Sequence, residues 1–177
     1  MKKIGIIVGS LRKDSYSGKV AKNIETMLKG KAEVKYIDIS KLPVYNQDYD
    51  GVIETPAAYD TFRAALASVE SIIVVTPEHN RTMPAALKNA LDVGSRPYGK
   101  NSWKNKAYMV VSQSPGTLSG FGAANEVKMV LSFLNGHVMH QPEVYLANIH
   151  TLLDEKGVFV PDTLKFLDSV VSNFVEF

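Results

Sequence analysis

Lys3-Ile4-Gly5-Ile6-Ile7-Val8 runs without a break into Gly9-Ser10-Leu11-Arg12-Lys13-Asp14-Ser15-Tyr16-Ser17. The first six residues read as a strand, because apolar β-formers follow one another with little polar alternation. A helical pattern begins at the far end of the loop: Val20, Ile24, Met27 and Leu28 recur at helical spacing over roughly residues 17–29. The loop between them gathers hydroxyls, a guanidinium and free backbone N–H groups at a helix N-terminus. A phosphate dianion suits that position, because the helix dipole and the unpaired amides favour negative charge. The loop lacks Gly-x-Gly-x-x-Gly, which argues against a dinucleotide-binding turn. It lacks a Gly-Lys-Ser/Thr ending, which argues against an ATP-cradling loop. The plainer alternative is a polar strand-to-helix turn with Ser17 as N-cap.

Outward from this stretch, strand and helix keep alternating. Ala32 to Ile39 is rich in β-formers, and Pro43 ends that region. Leu42 to Pro56 reads as a surface loop, and Tyr59, Phe62, Leu66 and Val69 mark a second helix. Ser71 to Thr76 is a near-continuous β-branched run, which fits a central parallel strand buried on both faces. Pro84 sits where a third helix would begin, and Leu87, Ala90 and Leu91 form its apolar face. Lys106 to Ser112 is a fourth strand; Val127, Val130, Leu131 and Leu134 mark a fourth helix. Val138 to Val144 is a fifth strand broken around Pro142, and Asp162 is positioned to cap a fifth helix faced by Leu164, Leu167, Val170, Val171 and Phe174. Five alternations predict an α/β domain over residues 1–177: a five-stranded parallel sheet with helices on both sides and right-handed crossovers. The expected strand order is 2-1-3-4-5, with a ligand beyond the carboxyl ends of strands one and three, where the order reverses.

Composition narrows the function. The 177 residues carry a net charge of only +2, with basic residues scattered, so nucleic acid is not an expected partner. Cysteine is absent, which excludes disulfides, thiolate metal sites and cysteine nucleophiles and fits a reducing compartment. The N-terminal apolar run ends at Val8, too short for a signal-peptide core, and no stretch approaches a membrane span. A cytoplasmic protein is expected. His137 and His140 lie three apart without further ligands, so no metal site is expected. Asp48 and Asp50 read as solvated loop carboxylates, and Asp92 and Arg96, four apart, as a pair on one helix face.

Two further loops share the character of the first. Thr76-Pro77-Glu78-His79-Asn80-Arg81-Thr82-Met83-Pro84 follows strand three, and Ser112-Gln113-Ser114-Pro115-Gly116-Thr117-Leu118-Ser119-Gly120-Phe121-Gly122 follows strand four. The three loops thus belong to neighbouring strands at the expected ligand-binding edge. The first suits a phosphate. The second offers backbone donors, a carboxylate, an imidazole and an amide. The third offers glycines that let the backbone approach a flat ring. A planar, phosphorylated ring system matches the set, and FMN is the obvious candidate, a cofactor that brings its own redox chemistry.

Gly9-Ser10-Leu11-Arg12-Lys13-x-Ser15, then Thr76-Pro77-Glu78-x-Asn80-x-x-x-Pro84-x-x-Leu87-Lys88-Asn89-Ala90-x-Asp92, then Ser95-Arg96-Pro97, together resemble the NADPH-dependent FMN reductase family, which includes flavodoxin-like quinone, azo-dye and chromate reductases. The resemblance spans roughly residues 3–145. It implies a flavodoxin-like three-layer fold. It implies that Ser10, Arg12, Ser15 and Ser17 hold the FMN phosphate and that Pro77, Glu78, His79 and Asn80 edge the isoalloxazine. Ser112, Ser114 and Gly116 would lie by the ribityl chain and pyrimidine end. Three positions depart from the resembled pattern: His79 where tyrosine is frequent, Ser17 where asparagine is frequent, and Val93 where tryptophan is frequent. The first bears on a ring contact and the second on a phosphate contact.

The function implied is hydride transfer from NADPH or NADH through bound FMN to a small acceptor, such as a quinone, an azo compound or free flavin. The flavin carries the chemistry, so no protein side chain is expected to be catalytic. One shared cleft implies ping-pong kinetics. The resemblance also implies a homodimer or homotetramer, in which the Tyr45–Asp50 loop could reach a neighbour's flavin. Lys88, Asn89 and Asp92 read equally well as structural polar positions. Two rival readings fit less well. A flavodoxin-type electron carrier would be strongly acidic, which this chain is not. A serine hydrolase would need a Gly-x-Ser-x-Gly elbow after a strand, and none is present.

Overall fold

The computed structural model describes residues 1–177. Its sheet is parallel throughout. Strands β1 (Lys3–Val8), β2 (Glu33–Tyr36), β3 (Ser71–Pro77), β4 (Ala107–Gln113) and β5 (His137–Val138) lie side by side in the order β2-β1-β3-β4-β5. A sixth, β6 (Val144–Leu146), continues beside β4, opposite Val111–Gln113, whereas β5 pairs with Ala107 and Tyr108. The expected fifth strand is therefore two short ones. The chain leaves β4 after Met139, whose N–H still donates to the Tyr108 carbonyl at 2.8 Å, and rejoins it beyond Pro142, a residue without a ladder N–H.

The helices divide between the two faces. α1 (Tyr16–Leu28) and α5 (Pro161–Glu176) cover one, and α2 (Ala57–Ala67), α3 (Ala85–Ser95) and α4 (Phe121–Phe133) the other. The alternation of β4 shows the division: Tyr108 and Val110 enter the core under α2–α4, and Met109 and Val111 the core under α1 and α5. In β3, Ile72, Ile73, Val74 and Val75 are each fully buried, as a strand sandwiched between helix layers requires. Burying each such side chain stabilises by about 1.5–3 kcal/mol relative to leaving it exposed.

Three local expectations are corrected. β2 stops at Tyr36: Ile37 makes one last bond to β1, its N–H donating to the Ile6 carbonyl at 2.9 Å, and Ile37 and Ile39 are core residues of the loop that follows. α5 is entered through Val160 and Pro161, with Asp162 in the first turn making no side-chain cap. Proline at the first helical position supplies the right φ and has no N–H to satisfy. α3 ends at Ser95, so Arg96 is not on the helix face with Asp92, which instead binds Lys88 Nζ at 2.8 Å.

Candidate active site

The turn from β1 to α1 lies hard against β3. Gly9 donates its N–H to the Val75 carbonyl at 2.8 Å, and a Cβ on Gly9 would come within 3.3 Å of Leu87, Thr76 and Val75. Ser15, not Ser17, is the N-cap: its Oγ accepts from the Gly18 N–H at 3.0 Å. Because α1 begins one residue later, Ser17 falls in the first turn with its hydroxyl turned inward. It is fully buried and accepts from Gln113 Nε2 at 2.9 Å. The Ser15 oxygen is thus committed to Gly18. The backbone N–H groups of Leu11, Lys13, Tyr16 and Ser17 make no hydrogen bond within the protein. Ser10 Oγ accepts weakly from the Arg12 N–H at 3.4 Å, and the exposed Arg12 guanidinium has one 3.4 Å contact, to the Asp14 carbonyl. Unpaired N–H groups, a helix dipole and a free guanidinium together form an anion cradle.

The loop after β3 is a tight hairpin. His79 and Thr82 exchange two backbone hydrogen bonds of 3.0 Å, and the residues between them, Asn80 and Arg81, have φ of 51° and 70°. Two positive φ values in a two-residue turn belong to type I′, which asparagine tolerates better than arginine. His79 and Asn80 are at the tip, and both are exposed. Glu78 is turned the other way. Its carboxylate accepts from the Ala123 N–H at 3.1 Å, in the first turn of α4, and lies 3.5 Å from Arg81 Nη1. A negative charge at a helix N-terminus satisfies an orphan donor and the dipole together. Glu126 on α4 returns the connection, accepting from the Thr82 hydroxyl and from the Met83 N–H at 3.0 Å.

The loop after β4 is folded on itself. Ser112 Oγ donates to the Ser119 carbonyl at 2.8 Å in the interior, and Ser114 Oγ accepts from the Gly116 N–H at 3.0 Å. Gly116 is exposed, and Gly120 takes the left-handed conformation, φ 76°, that admits the chain to α4. The three loops are bonded to one another: the first to β3 through Gly9, the second to α4 through Glu78 and Glu126, and the first helix to the end of β4 through Ser17 and Gln113. Sequence reasoning does not single out Gln113. The available signal is a long amide closing an otherwise apolar strand.

The Tyr45–Asp50 loop is bound within its own chain. Asn89 on α3 pins it, accepting from the Tyr45 N–H at 2.8 Å and donating to the Pro43 carbonyl at 2.9 Å. Asp50 is not solvated: Oδ2 accepts from Tyr45 OH at 2.8 Å and from Arg96 Nε and Nη2 at 2.7 and 2.6 Å. Burial raises the Asp50 pKa, but the hydrogen bonds from Tyr45 and Arg96 outweigh it, and the net shift is downward.

A parallel sheet of order 2-1-3-4-5, with an anion cradle where the order reverses and glycine-bearing loops on the neighbouring strands, defines a flavodoxin-like mononucleotide-binding protein. The chain belongs to the NADPH-dependent FMN reductase family, whose sequence pattern matches residues 2–151. It is 41% identical to a quinone reductase of Pseudomonas putida over 171 residues, which cover 97% of this chain and 91% of that enzyme. It is 34% identical to a 2-hydroxy-1,4-benzoquinone reductase of a Burkholderia species, covering 97% and 93%. Among solved structures it is similar to FerB, a flavoenzyme NAD(P)H:acceptor oxidoreductase of Paracoccus denitrificans. The TM-score is 0.92 at 33% identity, covering 99% of this chain and 96% of that one. The residues present fit FMN: unpaired donors and a free guanidinium stand ready for a phosphate, and exposed glycine backbone stands beside them for a ring.

Proposed function

We propose that the protein is an FMN-dependent NAD(P)H reductase delivering electrons to a small acceptor, with a quinone favoured over an azo compound or free flavin by the names of its relatives. The observation that carries the reading is the set of partnerless N–H groups of Leu11, Lys13, Tyr16 and Ser17 around the free Arg12 guanidinium. Arg12 supplies charge to the phosphate and Ser10 a hydroxyl. Ser15 offers its backbone N–H and its hydroxyl proton, since Oγ only accepts within the protein, and Ser17, whose hydroxyl is buried against Gln113, offers its backbone N–H. Pro77, His79 and Asn80 edge the ring from the hairpin, while the Glu78 carboxylate acts indirectly by fixing α4. Ser112, Ser114 and Gly116 flank the ribityl and pyrimidine side. When bound, FMN would supply the two-electron redox chemistry between NAD(P)H and the acceptor. No side chain of this chain is assigned a proton transfer.

One cleft serving donor and acceptor in turn predicts parallel initial-rate lines; intersecting lines would argue for a ternary complex. A homo-oligomer, dimer or tetramer, is part of the same proposal. Met129 and Phe133, four apart on α4 and 65% and 87% exposed, support it as an apolar row. A single domain in the cytoplasm completes the reading; no helix is long and apolar enough to cross a membrane. The test is the visible spectrum of the FMN-reconstituted protein under anaerobic conditions. Bleaching by NADPH and recovery on adding a quinone is expected. A bound flavin that NADPH leaves unchanged would favour an electron carrier, and no retained flavin would remove the proposal.

A further inference from the structure

Gln113 closes β4 with 4% of its surface exposed. Strand alternation from Met109 and Val111 turns its side chain toward α1, and its amide lies 2.9 Å from Ser17 Oγ in the first turn of that helix. The amide's other heteroatom, Oε1, is buried and has no partner. Buried amide atoms are rarely left unpaired, so this one calls for an explanation.

The two ends of a carboxamide exchange places by a half-turn of its terminal torsion, and the surrounding network decides between them. With nitrogen on Ser17, an acceptor is stranded beside a helix N-terminus that favours anions. With oxygen on Ser17, the serine hydroxyl gains an acceptor for its own proton, for which it has no other in the protein. The NH2 group then takes the buried, partnerless place of Oε1, with donors to spare. The second arrangement satisfies both side chains once a phosphate occupies the cradle.

We propose that Gln113 is a phosphate-binding residue, its NH2 donating to the FMN phosphate while the Ser17 hydroxyl holds its oxygen. The inference rests on the FMN reading given above and adds a donor from β4 to a cradle otherwise built by the β1–α1 loop. It also assigns Ser17 a second role: the hydroxyl orients an amide, while the backbone N–H addresses the anion.

The experiment compares FMN with riboflavin, which has the same ring and ribityl chain but no phosphate. Dissociation constants are measured by flavin fluorescence on apoprotein for the parent, Gln113→Met and Gln113→Glu, alongside thermal melts of each apoprotein. For Gln113→Met, FMN affinity is expected to fall about tenfold, with riboflavin affinity unchanged. Gln113→Glu nearly preserves shape and keeps an acceptor for Ser17, but it turns a carboxylate toward the phosphate. Its FMN affinity is expected to fall about 100-fold, because like charges then share the cradle. Equal losses for FMN and riboflavin, or none for either, would overturn the inference and leave Gln113 as a brace between β4 and α1. Should Gln113→Glu fail to fold, the FMN-to-riboflavin ratio of Gln113→Met decides alone. A parent protein that binds neither flavin would remove the FMN reading itself, and this inference with it.

Discussion

Gly122→Ala tests whether the loops after β3 and β4 are locked together. Gly122 lies in the first turn of α4 and has no positive φ, so its backbone does not require glycine. Propensity alone would make alanine more stable, by up to about 1 kcal/mol in a helix interior and less near an end. The surroundings say otherwise. A Cβ at Gly122 would stand 2.4 Å from the Arg81 carbonyl oxygen and 2.9 Å from Glu78 Oε2. The first distance is roughly 1 Å short of ordinary contact. Arg81 cannot easily yield, because its hairpin is closed by two 3.0 Å hydrogen bonds between His79 and Thr82. Either the hairpin or α4 must move. Overpacking of this kind costs about 1–3 kcal/mol. Moving the helix would stretch the bond from the Ala123 N–H to Glu78, a charge-assisted contact worth about 1.5–3 kcal/mol. These are alternative routes of relief and do not add, so the net expectation is a loss of about 1–3 kcal/mol. Trp103, the single tryptophan and fully buried, reports unfolding in urea by its emission. FMN affinity should fall by about tenfold as the two loops part, since a site loosened by about 1 Å loses much of its preorganisation. A variant as stable as the parent and equally tight for FMN would refute the reasoning.

Arg12→Ala should weaken FMN about 10- to 100-fold while leaving the urea midpoint almost unchanged, because the side chain is exposed and has one long contact; equal FMN affinity would remove Arg12 from the phosphate. Glu143 is held below the usual carboxylate range by hydrogen bonds from Lys128 Nζ at 2.6 Å and Tyr145 OH at 2.5 Å. A lowered folded pKa contributes stability that is full above the unfolded value, about 4.3, and is lost as pH falls through the folded one. Glu143→Gln should therefore be less stable than the parent at neutral pH, with the gap in melting temperature closing below about pH 4; a gap constant with pH would count against it. Phe133→Asp places a charge on the α4 apolar row and should lower the mass measured by light scattering, and an unchanged mass would take α4 out of the interface.

The strands at the centre of the sheet were legible because burial on both faces leaves no room for polar alternation: Ile72 to Val75 can be little else. The site loops were legible for a related reason, since glycine and hydroxyl residues cluster where backbone must approach a ligand. What escaped was pairing at long range. Asp50 and Arg96 are 46 residues apart, and Asp92 offered Arg96 a nearer partner that the end of α3 at Ser95 removes. The N-cap was misplaced by two residues because Ser15 and Ser17 are the same residue type, and only the register of α1 distinguishes them.

That two-residue shift changes how the cradle works. Had Ser17 capped α1, its oxygen would be spent on the helix and Ser15 would be free to face an anion. With Ser15 as cap, the Gly18 N–H is satisfied within the protein, and the Tyr16 and Ser17 N–H groups remain unpaired. The Ser17 hydroxyl is then buried against Gln113, 96 residues away along the chain. The first turn of α1 is thereby fixed to β4, while the Tyr16 and Ser17 N–H groups keep no protein partner. Preorganised donors need no rearrangement when a dianion arrives, and that is the condition under which hydrogen bonds to charge contribute most to binding. The phosphate end of the site is thus made rigid by hydroxyls that bind protein partners, and Arg12, exposed and free, is left to supply the charge.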